Sequence, residues 1–154
     1  MTCRKLDAIR RVEQTVYVGI HFEHPSEITR PTMCCIRSLI AAGAILYSQS
    51  VFLKDVNDDF ETLRDLFNGL LQIGVRPYYI YRCDPVSGAE HFRVDFDKER
   101  RIMTQLRRSL SGLACPTYVI DAPDGSGKIP VPLEFWDGDM SSYRDFNGEK
   151  HGIV

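Results

Sequence analysis

Four apolar runs, at residues 16–20, 44–53, 75–81 and 116–120, most constrain what this chain can fold into. They are rich in β-branched and aromatic residues. Their apolar character is continuous rather than alternating, the pattern of strands buried on both faces of a parallel sheet. Between them lie stretches of helical periodicity. One covers residues 29–42, with Thr29 as its cap, Pro31 tolerated in the first turn and Gly43 as its stop. A second covers residues 59–73, opened by Asn57-Asp58 and closed by Gly74, with Leu63, Leu66, Phe67, Leu70 and Leu71 as its apolar stripe. A third covers residues 97–110, with Ile102, Met103, Leu106 and Leu110 turned inward. A short helix at residues 6–14 precedes the first strand.

The order α-β-α-β-α-β-α-β implies right-handed crossovers and an α/β fold. An open doubly wound sheet and a βα-barrel both satisfy it. A complete eight-stranded barrel takes about 250 residues. At 154 residues with four strands, this chain would be about four βα units of a partial parallel βα-barrel, and its outer strands would present unpaired edges. Residues 1–132 are expected to form that unit. Residues 133–154, interrupted by Gly138 and Gly148, are expected to be an irregular tail, with residues 143–146 as a candidate short strand.

Net charge of −2 leaves no electrostatic footprint for nucleic acid. No apolar run approaches the roughly 20 residues that span a bilayer, and no apolar signal core follows the N-terminal residues, so a cytoplasmic location is expected. The five cysteines include no C-x-x-C pair, which argues against structural zinc or a disulfide framework and for reduced thiols.

Parallel βα folds place ligands at the carboxyl ends of their strands. Here those ends carry His21, Gln49, Asp84 and Asp121, with Lys128 beyond the last. Lys128 follows Asp121-Ala-Pro-Asp-Gly-Ser-Gly127, a loop that breaks at Pro123 and in which Gly125 and Gly127 permit positive φ and close backbone approach. A lysine so placed, its pKa lowered by burial or a nearby cation, is a Schiff-base nucleophile, the chemistry that a pyridoxal phosphate enzyme uses. A P-loop is a poor match, because Ala122 stands at its first glycine and Ile129 at its magnesium-binding hydroxyl. A solvated lysine on a surface loop is the competing reading. His21 and His24 have H-x-x-H spacing, but on an extended segment they fall on opposite faces. Paired carboxylates at Asp84 and Asp121 suit a substrate ammonium or guanidinium.

These residues also carry a resemblance. The segments His21-Phe-Glu-His-Pro-Ser-Glu-Ile-Thr29, Gln49-Ser-Val-Phe-Leu-Lys-Asp-Val-Asn-Asp58, Val75-Arg-Pro-Tyr-Tyr-Ile-Tyr-Arg-Cys-Asp84, His91-Phe-Arg93, Ser111-Gly112, Pro116-Thr-Tyr-Val-Ile-Asp-Ala-Pro123 and Gly127-Lys-Ile-Pro130 resemble the C-terminal half of the lysine 2,3-aminomutases, radical S-adenosylmethionine enzymes. The resemblance covers residues 15–132. It implies a partial βα-barrel and a reaction that moves an amino group from C2 to C3 of lysine. A [4Fe–4S] cluster would cleave S-adenosylmethionine to a radical, and pyridoxal 5′-phosphate would carry the migrating nitrogen. On the matching positions it makes Lys128 the pyridoxal phosphate lysine, Asp84 and Asp121 the carboxylates for the substrate's distal ammonium, and His21 and Gln49 part of the S-adenosylmethionine side. A basic, lysine-like amino acid is therefore the expected substrate.

The departures are equally specific. The C-x-x-x-C-x-x-C cluster motif is not in this sequence, so no metal ligands are assigned. The family's C-terminal zinc cysteines are missing, Asp124 and Ser126 stand in its glycine-rich lysine loop, and Glu23 replaces an asparagine where it could weaken S-adenosylmethionine binding. The expectation is a substrate- and pyridoxal phosphate-binding portion, inactive alone, that needs a second polypeptide carrying the cluster or is a fragment of a longer chain, with homo-oligomerisation also open. The alternative is a non-catalytic remnant or a small-molecule binding module.

Overall fold

The computed structural model describes residues 3–122 and 125–153. Pro123 and Asp124, read above as a strand break and loop, lie outside the described residues. Helix α1 (Cys3–Arg11) leads into β1 (Tyr17–His21), a single 3-10 turn (Pro25–Glu27), α2 (Arg30–Ala41) and β2 (Ile45–Val51). Then come α3 (Phe60–Gln72), β3 (Val75–Tyr81), a second 3-10 turn (Glu90–Phe92), α4 (Phe96–Ser109) and β4 (Thr117–Asp121). Three short strands follow: β5 (Lys128–Pro130), β6 (Ser142–Arg144) and β7 (Lys150–Gly152). The main sheet has five strands in the order β1-β2-β3-β4-β5. The first four are parallel, and β5 folds back antiparallel to β4.

The caps follow from local chemistry. Thr29 accepts from the Thr32 amide at 3.3 Å and starts α2. Asp59 accepts from the Thr62 amide at 2.8 Å and starts α3, so the opening cap is Asp59 rather than Asn57-Asp58. Asp95 does the same for α4 through the Lys98 amide. Gly43 and Gly74 end α2 and α3 at φ 96° and 86°, where a Cβ is disfavoured.

Leu63, Leu66, Phe67 and Leu70 of α3 and Leu106 of α4 are fully buried against Val75 and Ile80 of β3. The core therefore lies between one face of the sheet and the helices. Over β1, β2 and the first part of β3 the other face is largely uncovered, which corrects the expectation of strands buried on both sides. Along β2, buried residues alternate with half-open ones, and Tyr17, Ile45 and Tyr78 are exposed. Tyr17, Tyr47, Tyr78 and Tyr79 line up across this open face with ring centroids 4.0 to 5.9 Å apart. Continuous apolar runs still mark strands here, but aromatic side chains on one face rest on each other rather than under a second layer.

The segment expected to be irregular contains a hairpin. β6 pairs antiparallel with β7, and Tyr143 stacks on His151 and meets the tilted Trp136 ring, with centroids 5.4 Å apart in each case. The segment docks on α4, where the Glu134 amide donates to Thr104 and Arg100 donates to the Pro132 carbonyl. No helix among the described residues is long and apolar enough to cross a membrane.

Candidate functional site

Parallel register carries the strand ends to one rim. Gln49 lies opposite His21 on one side and Tyr79 on the other, Val51 opposite Tyr81, and Tyr81 opposite Val119. A register shift between Ser48 and Gln49 brings the last part of β3 into line. Two residues past Val119, Asp121 pairs with Lys128 across the antiparallel β4–β5 ladder. Because side chains alternate along a strand, residues two apart share a face. His21, Gln49, Val51, Tyr81, Asp121 and Lys128 all project to the open face.

They enclose a hollow of about 300 Å³ that also includes Arg82 and Asp84. Every residue singled out from the sequence (His21, Gln49, Asp84, Asp121 and Lys128) lines it. Two smaller neighbouring hollows share its Asp121 wall; one is lined by the turn at Gly125 and Gly127, the other by Asp84 and Pro85. A larger hollow of about 900 Å³ lies between α4 and the C-terminal hairpin, among Phe135, Trp136, Met140, Tyr143 and Phe146. It presents no lysine, histidine or cysteine, so size does not make it the better candidate.

Lys128 is placed by its hairpin. The Ala122 amide donates to the Gly127 carbonyl and the Gly125 amide to the Ala122 carbonyl, with Gly125 and Gly127 at φ 75° and 135°. Lys128 Nζ lies 2.8 Å from Asp121 Oδ1 and 5.2 Å from the centre of the Tyr81 ring. Hydrogen bonding to Asp121 is the main cause that holds the ammonium above the ordinary lysine value. This is opposite to the lowered pKa that a nucleophilic lysine calls for. In this arrangement the amine is stored as an ion pair, and it must lose its proton before it can attack a carbonyl.

The rim at β1 and β2 is tied by polar bonds. Glu23 Oε2 accepts from the Val51 amide at 2.6 Å, and Oε1 lies 3.8 Å from His21 Nδ1. Burial is the larger effect on Glu23 and pushes its carboxyl up, against the hydrogen bond from Val51. Ser50 Oγ donates to the Phe22 carbonyl at 2.6 Å. Asn57, fully buried, donates through Nδ2 to the carbonyls of Glu23 and Val51 and accepts from the Leu53 amide. His24 caps the first 3-10 turn, its Nδ1 accepting from the Ser26 amide, while the His21 side chain is 66% exposed. The two histidines therefore do different work. No group of three or more histidine, cysteine or acidic side chains among the described residues could hold a metal ion. Cys34, Cys35, Cys83 and Cys115 are free thiols.

Sequence reasoning missed Glu99. It is fully buried, with Oε2 2.5 Å from Arg82 Nη1 and accepting also from the Tyr118 hydroxyl. Burial pushes the Glu99 carboxyl up; the Tyr118 hydroxyl and Arg82 pull it back. On Arg82, desolvation is outweighed by the same carboxylate, which holds the guanidinium above its ordinary value. Geometry favours a charged pair, since both donors converge on Oε2 and arginine does not deprotonate in proteins. The signal was present in the sequence: Glu99 stands three and four residues before Ile102 and Met103, on the buried stripe of α4.

Residues 103–148 match the family model described as lysine-2,3-aminomutase. The match extends beyond residue 132, where the sequence resemblance was read as ending. The chain is 45% identical over 116 residues to a putative L-lysine 2,3-aminomutase of Aquifex aeolicus, covering 75% of this chain and 31% of that protein. It is 47% identical over 116 residues to the L-lysine 2,3-aminomutase of Clostridium subterminale, covering 75% and 28%. It is 38% identical over 143 residues to a glutamate 2,3-aminomutase of Clostridioides difficile, covering 84% and 34%. The chain thus spans about a third of the length of these relatives. A radical SAM methyltransferase structure from Sphaerobacter thermophilus shares the fold at TM-score 0.56 and 16% identity, over 77% of this chain and 38% of that one. Over three quarters of its residues, this α/β chain is similar to lysine 2,3-aminomutases and corresponds to one part of those longer proteins.

Proposed function

We propose that this chain is the substrate- and pyridoxal phosphate-binding portion of a lysine 2,3-aminomutase-like isomerase, acting on a basic amino acid. The observation that carries the reading is the meeting of Lys128 Nζ, Asp121 and Asp84 in one hollow at the carboxyl ends of parallel strands. The residues fit the cofactor. Lys128 is reachable at 41% side-chain exposure, and the hollow is within the usual range for ligand sites. When bound, pyridoxal phosphate supplies an aldehyde that condenses with amines and takes up the migrating nitrogen. Asp84 and Asp121 are placed to hold a distal ammonium, Asp121 once Lys128 has left the ion pair. His21 and Gln49, on the opposite margin, are proposed to face S-adenosylmethionine.

The cluster motif is absent from this sequence, so the radical-generating step is proposed to come from residues outside it, on a second polypeptide or in a longer chain. The open sheet face and the β1 edge, unpaired among the described residues, support a partial barrel completed from outside. This stretch alone is expected not to isomerise lysine.

Borohydride trapping tests the reading. Protein incubated with pyridoxal phosphate and reduced should carry a stable pyridoxyl adduct, located at Lys128 by peptide mass spectrometry and lost in Lys128→Ala. An adduct of equal yield in that variant would remove Lys128 from the role.

A further inference from the structure

The larger hollow, of about 900 Å³ between α4 and the C-terminal hairpin, shares no lining residue with the one at Lys128. Two pairs of rings form its walls. Phe135 and Phe146 lie 5.5 Å apart, and Trp136 and Tyr143 lie 5.4 Å apart, both pairs tilted. A bridge between the Trp136 and Tyr143 backbones and the β6–β7 ladder hold these rings in place. Yet Trp136, Tyr143 and Phe146 keep 46%, 37% and 56% of their surface open. Contiguous apolar surface left open in this way marks a binding surface.

The free charge around the rings has one sign. Arg107 of α4 lines the hollow, is half-buried and has no carboxylate partner among the described residues. Arg144 donates through Nη1 to the Gly148 carbonyl at 3.2 Å and likewise has no ion-pair partner there. The carboxylate that lines the hollow, Asp145, is already engaged. Its Oδ1 accepts from the Asn147 and Glu149 amides, and Oδ2 lies 3.2 Å from His151 Nε2. A half-buried guanidinium without a counter-charge gains from any anion that reaches it, and its rigid fork matches an oxyanion two bonds at a time.

We propose that this hollow is a second binding site, for a small aromatic oxyanion. A flat ring body sits against the two ring pairs, and its carboxylate or phosphate meets Arg107. Rings select rings, because offset and edge-on contacts add to the apolar area that they bury. The aliphatic lining is limited to Pro132, Leu133 and Met140, so a chain of methylenes finds fewer partners.

Trp136 is the only tryptophan in the chain, so its emission reports on this hollow and not on the tyrosine face. The test uses two probes with one ring body, 1-anilinonaphthalene-8-sulfonate and the uncharged N-phenyl-1-naphthylamine. Both should quench Trp136 saturably at one site per chain, the sulfonate binding about tenfold more tightly or better. R107Q strands no carboxylate. It should lose the preference and still bind the uncharged probe as the wild type does. M140E adds a carboxylate to the hollow at a residue that is 56% exposed, and should weaken the sulfonate more than the uncharged probe. Octane-1-sulfonate, the same anion on an aliphatic body, should displace the bound sulfonate poorly. Either 1-naphthoate or 1-naphthyl phosphate should displace it well, and the better of the two names the oxyanion. Equal binding of both probes by the wild type overturns the proposal. So do a preference that survives intact in R107Q, sulfonate binding that leaves Trp136 emission unchanged, displacement by octane-1-sulfonate as good as by the naphthyl anions, and a Trp136 signal that follows protein concentration without ligand, which would assign the hollow to a second copy of the chain.

Discussion

Replacing Asn57 with alanine should destabilise this chain far more than its place just before a helix suggests. The Asn57 side chain is fully buried and makes three bonds to backbone groups. Oδ1 accepts from the Leu53 amide at 2.8 Å, and Nδ2 donates to the Glu23 carbonyl at 2.9 Å and the Val51 carbonyl at 2.8 Å. At about 1 kcal/mol net per neutral bond, the loss is about 3 kcal/mol, rising where the abandoned backbone groups stay out of water. For a chain of this size that corresponds to a drop in Tm of roughly 6–12 °C. Urea titration of Asn57→Ala with an unchanged m-value is the measurement. Asn57→Asp keeps the acceptor, loses both donors and sets a charge against two carbonyls, so it should fall below alanine. A loss under about 1 kcal/mol in Asn57→Ala would refute the reasoning, because the three bonds would then be no better than water. The site would register the change too, since Glu23 and Val51 belong to the rim that carries His21 and Gln49.

Three other outcomes follow from the same geometry. Arg82→Gln should cost about 3–5 kcal/mol by leaving Glu99 buried without its cation, whereas R82Q/E99Q should return to within about 1 kcal/mol of wild type; equal losses in both would show the pair to be uncoupled. In Asp121→Asn the carboxylate charge that raises the Lys128 pKa is gone, so the midpoint pH for borohydride-trapped adduct should move down; an unchanged midpoint would deny Asp121 that influence. Glu23 is raised above its ordinary 4.5 chiefly by burial, so its ionisation works against folding: its contribution is intact below the unfolded pKa and is lost as pH rises through the folded one. Glu23→Gln should therefore improve relative to wild type between about pH 4 and pH 7 in denaturant melts, and an advantage that shrank with rising pH would contradict the sign.

Much of this architecture is legible because it is local or periodic. Thr29 caps and Gly43 and Gly74 stop their helices through contacts within a few residues, and the stripe from Leu63 to Leu70 needs only helical spacing. The candidate site is legible through one general rule, that parallel strands deliver their ligands at their carboxyl ends. What was not legible depends on tertiary distance. Asn57 reaches Glu23 across 34 positions, and Arg82 reaches Glu99 across 17. β5 was hidden because Lys128-Ile-Pro130 has little strand propensity of its own; pairing with β4 imposes the extended form. The bare face was hidden for a different reason. A run of tyrosines reads as apolar wherever it sits, and only tertiary arrangement separates rings resting on one another from rings beneath a second layer.

The antiparallel return of β5 also gives the sheet a direction of growth. Its free margin beside β4 is three residues long and ends in Pro130, which has no amide hydrogen to offer a newcomer. The opposite margin, β1, is five residues of extended backbone whose far side faces no neighbouring strand among the described residues. Of the two margins, β1 is the one that offers a further parallel strand an unbroken run of backbone groups. A strand added there would extend the tyrosine face on the His21 side, at the opposite end of the sheet from the Lys128 hairpin.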